Sequence, residues 1–180
     1  MPAHPLLKQS MIALAGLAAA PALSAAALIA WLAITDPFGG PPHPTDAAML
    51  AQFARVRPSL EEIVGMIEQD PGIERLAPDF TRPEPAPIGP KRLADYRARL
   101  QAAGIDHGLS SHGDTVEFIV STQGLAISGS GKSFVHAEHP DPDATVIDGD
   151  LDAAVDALAD KDVLLQRRIG ERWWLQLDRR

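Results

Sequence analysis

The sequence predicts an α+β protein: an N-terminal transmembrane helix, then helices packed on one face of an antiparallel meander sheet of about five strands. Three observations predict it. Residues 11–34 carry no charged side chain. Between Thr45 and Ala103, apolar residues recur at helical spacings of three and four. From Val116 onward they alternate with polar ones, the period of a strand.

The uncharged stretch Met11–Ile34 is 24 residues long. At about 1.5 Å per residue it reaches roughly 36 Å, enough to cross a hydrocarbon core of about 30 Å with some tilt. Eleven of its residues are alanine, so the drive to insert comes from five Leu and three Ile, together roughly −4 kcal/mol. Pro21 sits mid-span, where membrane helices tolerate it. A cleaved signal peptide is the rival reading, but its apolar core would be shorter. Small-residue sites at Ala18-Ala19-Ala20 and Ala25-Ala26-Ala27 are spoiled by Pro21 and by the apolar tail that cleavage would leave. Lys8 flanks the N-side and Asp36 and Asp46 the C-side. That bias predicts a cytoplasmic segment at 1–10 and an extracytoplasmic domain at 45–180, in the inner (cytoplasmic) membrane. Gly16, Ala20 and Ser24 repeat at small-xxx-small spacing. In an alanine-rich span this reads as lipid-facing filler.

Residues 35–44 form a stiff Pro/Gly linker. Thr45 then caps a helix, with Asp46 in its first turn. Phe53, Val56, Leu60, Ile63 and Ile67 make one stripe. Pro58 interrupts it, and Ser59-Leu60-Glu61-Glu62 is a capping box that would restart it. Two nearly collinear helices, 45–57 and 59–69, are expected, ended by Asp70-Pro71-Gly72. Ile73–Asp79 reads as extended. Thr81–Pro90, with four prolines, reads as a crossing loop. Pro90 opens a helix over 90–103 that Gly104 ends.

Val116–Ser121 reads as a strand, Gln123-Gly124 as a turn, and Leu125–Ser128 as the returning strand. Gly129-Ser130-Gly131 reads as a second turn and Ser133–Ala137 as a third strand. A Pro/Asp loop at His139–Asp143 leads to a short helix, Leu151–Ala159. Val163–Ile169 and Trp173–Leu177 close as a hairpin over Gly170-Glu171.

With 180 residues, net charge −8 and no cysteine, the chain excludes disulfides, thiolate chemistry and electrostatic binding of nucleic acid. Gly129-Ser130-Gly131-Lys132-Ser133 resembles a phosphate-binding P-loop. The position that needs the first glycine is Ala126, however, and a strand follows where a helix should open. The alternative to nucleotide binding is a hairpin turn with a solvated lysine. His136, Glu138 and His139, with Asp141, Asp143 and, if the loops meet, distant His107 and His112, are candidate metal ligands for a hydrolase. Their spacing fixes no coordination geometry, and a solvated acidic loop is the competing reading. Serines abound, yet no strand-to-helix nucleophile elbow exists. No cofactor is expected and no catalytic set is assigned. Trp173 aligns with Leu175 and Leu177, hence core. Trp174 aligns with Gln176 and Asp178, hence a candidate contact with a protein partner or the membrane surface, with packing beneath the N-terminal helix as the alternative.

The segments Gly65–Asp70, Arg92–Arg97, Gly124–Ser130 and Trp173-Trp174-Leu175 resemble an uncharacterised family of small bacterial membrane-anchored or lipoprotein-like proteins. The resemblance spans most of residues 45–178. It implies the order of elements and no activity. This chain lacks the lipid-bearing cysteine of lipoproteins. The sequence therefore predicts a single-pass membrane protein whose outer domain binds or scaffolds, with a metal-dependent hydrolase as the alternative.

Overall fold

Helix α1 runs unbroken over Asp46–Gln69 in a computed structural model that describes residues 42–125, 128–158 and 162–180. Thr45 caps it, its hydroxyl accepting from Ala48 N at 3.3 Å. The expected break at Pro58 does not occur. Pro58 is exposed, while Met49, Phe53, Leu60, Ile63 and Ile67 are buried along one stripe. Burying several such side chains, at about 1.5–3 kcal/mol each, outweighs the roughly 3 kcal/mol that an interior proline costs. Strands β1 (Arg75–Leu76) and β2 (Thr81–Arg82) follow. Helix α2 then spans Pro90–Ala102, with proline in its first turn as expected.

The expected five-stranded meander is replaced by a larger, mixed sheet. The remaining strands are β3 (Leu109–His112), β4 (Thr115–Leu125), β5 (Ser128–His136), β6 (Thr145–Val146), β7 (Val163–Arg168) and β8 (Trp173–Arg179). Helix α3, Leu151–Ala157, lies between β6 and β7. The order across the sheet is β2-β1-β3-β4-β5-β8-β7-β6. All neighbours are antiparallel except β6 and β7. After β5 the chain jumps to the far edge, forms β6, and crosses back through α3. A parallel pair needs such a crossover, which a meander does not contain. Gly129-Ser130-Gly131 is not a turn but part of β5. It pairs with Gly124, Gln123 and Thr122 of β4 in one long hairpin, with an irregularity between Ile119 and Ser121.

The core lies between the helices and one face of the sheet. Phe53 of α1 packs on Phe134 (ring centroids 5.3 Å apart) and Trp173 (5.2 Å). Tyr96 and Leu100 of α2, and Leu151 and Val155 of α3, join the same cluster. The other face carries a small separate cluster of Val135, Ala137 and Trp174.

Among the described residues no helix is long and apolar enough to cross a membrane. The expected span, residues 11–34, lies outside the described residues.

Candidate functional site

Where α1 ends above the β3–β4 turn, the surface opens into a cleft of about 810 Å³. Asp70 stops the helix, its N–H bonding to Met66 O and Ile67 O. Its carboxylate accepts from Arg92 Nε at 2.7 Å and from the Tyr96 hydroxyl at 2.8 Å. Burial by itself would raise the Asp70 pKa, but these two bonds hold it below the usual carboxylate range. The Tyr96 hydroxyl is pushed up by burial and by the bond to Asp70. This corner therefore fixes the rim of the cleft.

The walls are Val64 and Ile67 of α1, Ile73, and Val116 of β4. The polar lining comes from Glu68, Glu74, His112, Asp114, His136 and Arg172. The side chains of Glu68, Glu74, Asp114 and Arg172 have no hydrogen bond or ion pair among the described residues. His136, at the end of β5, stacks edge-on against Trp173 at 4.9 Å. Its Nδ1 is buried without a partner. Burial and then Arg172 lower its pKa, against the pull of Glu68 and Glu61, so the ring is neutral near pH 7. An unbonded lone pair is cheaper to bury than an unbonded N–H. On that ground we assign the proton to Nε2, which makes it a donor.

Among the described residues, His136, Glu138 and His139 do not converge as a ligand cluster. His136 lines this cleft, whereas Glu138 and His139 line a neighbouring pocket of about 630 Å³ with Glu117, Asp141, Gln166 and Gln176; His112 and Asp114 border both. β5 ends at His136, and the chain beyond it bends over the opposite face. His107 is held apart, 3.4 Å from Thr122 Oγ1. Among the described residues, three acidic or imidazole groups converge within 4.8 Å at Asp46, Asp150 and Asp152. Lys132 already supplies the cation there.

That lysine is the second correction to the P-loop-like stretch. Lys132 is wholly buried, not solvated. Its ammonium donates to Asp46 Oδ1 (2.8 Å) and Pro44 O (3.0 Å), and lies 2.6 Å from Asp152 Oδ1. Asp46 Oδ2 in turn accepts from Leu151 N at 2.7 Å. The motif thus ties the linker, α1 and α3 to the sheet. Its lysine has no donor left for a phosphate.

Trp174 is 5% exposed. Its Nε1 donates to Ala137 O at 3.2 Å, and the Arg168 guanidinium lies 5.6 Å from the ring centre. The chain's own loop and Arg168 cover the ring.

No family model, curated protein or solved structure matches the chain. The reading of the cleft rests on its geometry. His112, named from the sequence as a distant companion of His136, does line the same cleft. Arg172 and Asp114 went unnoticed, because strand ends and turns far apart in the chain bring them there.

Proposed function

We propose that residues 45–180 are a non-catalytic binding domain that seats a short extended peptide segment of a partner protein in the His112/His136/Arg172 cleft. The observation that carries this is the cleft's unspent polar capacity over an apolar wall. His136 Nε2–H and Arg172 are donors suited to backbone carbonyls. Glu68, Glu74 and Asp114 are acceptors suited to backbone N–H groups or a basic side chain. Three carboxylates against one guanidinium, on a chain of net charge −8, favour a neutral or basic segment over an acidic one. An apolar residue of the segment would rest on Val64, Ile67 and Val116. The address we propose is the extracytoplasmic side of the inner membrane, with residues 11–34 in the lipid, on the strength of their composition.

A displayed heptapeptide library selected against the full-length protein tests the reading. Enriched sequences should be apolar and basic, should shift the His136 ring resonances, and should lose at least tenfold in affinity against Arg172→Ala. Enriched sequences that leave His136 unperturbed, or a library from which nothing enriches, would overturn it.

A further inference from the structure

His43 is the first side chain of the described domain to make a specific bond. Its Nδ1 lies 2.7 Å from Ser121 Oγ and its Nε2 lies 2.7 Å from Ser130 Oγ. Ser121 and Ser130 belong to the two strands of the β4–β5 hairpin, so one imidazole spans both. One residue later, Pro44 O accepts from Lys132. Two residues beyond that, Asp46 pairs with the same ammonium, while its N–H reaches Asp152 Oδ2 at 3.2 Å. Residues 43–46 are therefore strapped across the hairpin at three points.

The imidazole contact differs from the other two because the ring's charge changes between about pH 5 and 8. A neutral ring donates from one nitrogen and accepts at the other, and two hydroxyls satisfy both. The protonated ring donates from both nitrogens, so one serine must turn its hydroxyl from donor to acceptor, and the ring adds a positive charge. The charges that act on it are Lys132 from β5 and Asp152 from α3; Lys132 also pairs with Asp46 of α1, whose Oδ2 lies 3.9 Å from Arg167 of β7. The two carboxylates are already engaged by Lys132, so a second cation there is poorly compensated. We propose that His43 is an acid-released latch: neutral, it pins the strap of residues 43–46 to the β4–β5 hairpin, and its protonation frees the strap.

The direction follows from linkage. Burial and then Lys132 lower the His43 pKa from 6.5, against the smaller pull of Asp152. A depressed histidine contributes its stabilisation above the free value and loses it as pH falls. The latch is intact above pH 6.5. Below that it opens by up to tenfold per pH unit until the latched ring itself protonates. The inference is independent of what the cleft binds.

The test uses the full-length chain. The His43 ring is titrated by NMR, and exchange of the Asp46 amide is followed from pH 7.5 to 5.0 after correction for the intrinsic rate. A ring that titrates below 6.5, with Asp46 protection falling at least tenfold over that interval, supports the latch. His43→Gln, which cannot take up a proton, should flatten the exchange profile. A ring that titrates at or above 6.5, or an exchange profile identical in wild type and His43→Gln, would overturn the proposal. The ring titration needs no variant, so it decides the matter even if the glutamine chain folds poorly.

Discussion

Lys132 Nζ lies 2.8 Å from Asp46 Oδ1, and neither side chain exposes more than 1% of its surface. The pair joins the start of α1 to the middle of the sheet. Its isolation from water makes it sensitive to the loss of one member. Lys132→Met leaves the Asp46 charge buried, with the Leu151 N–H and, at 3.9 Å, Arg167 as its remaining partners among the described residues, and should cost about 3–5 kcal/mol. Adding Asp46→Asn removes the stranded charge and should recover about 1–2 kcal/mol. Urea midpoints at constant slope measure both changes. A single mutant within 1 kcal/mol of wild type would show the pair to be nearly neutral.

Two glycines should respond in opposite directions to the same methyl group. Gly108 has φ +79, and a Cβ there would meet Leu76 O at 1.9 Å. The neighbour is backbone, so it cannot swing aside. Gly108→Ala should destabilise by about 3 kcal/mol or more. Gly65 lies inside α1 with nothing within 4 Å of its would-be Cβ. Gly65→Ala should stabilise by about 0.5–1 kcal/mol. Thermal unfolding of the two variants separates the outcomes by sign.

Asp70 links acid stability to the rim of the cleft. Its lowered pKa means the folded state favours the carboxylate. That stabilisation is present above pH 3.8 and disappears as pH falls through the lowered value. Asp70→Asn should cost about 1–2 kcal/mol at pH 7, with the gap to wild type closing towards pH 2. Denaturation curves at the two pH values check this. A gap independent of pH would mean that the carboxylate's charge is not what Arg92 and Tyr96 stabilise.

Pro58 has no N–H to offer and sits exposed within a continuous helix. Pro58→Ala restores a backbone bond on the solvent side without disturbing the buried stripe. It should raise stability by about 1–3 kcal/mol, read as a higher unfolding midpoint. Destabilisation instead would show that the proline's ring or its bend is needed for packing.

Local features were legible in the chain. Pro90 at a helix start, the 3.6-residue period of α2, and the β7–β8 hairpin all follow from neighbours in sequence, and each stands close to its expected bounds. Sheet topology was not legible, because β1, β2 and β6 are two-residue strands with no periodicity to detect. Lys132 misled for a related reason. Glycine and serine around it look like a turn. What buries it is Asp46 and Asp152, contributed by elements 86 residues before and 20 residues after it. His43 was lost inside a linker read only for its prolines. In the candidate site, His136 was singled out by its chemistry; His112 shares its cleft, while β5 ends at His136 and Glu138 and His139 line the neighbouring pocket.

Both margins of the sheet are short. The outermost strands, β2 and β6, offer only two residues each, and β2 carries charged Arg82. An incoming chain therefore finds too few unpaired amides and carbonyls to zip onto. Copies crowded together at high surface density gain little from joining side by side through β2 or β6.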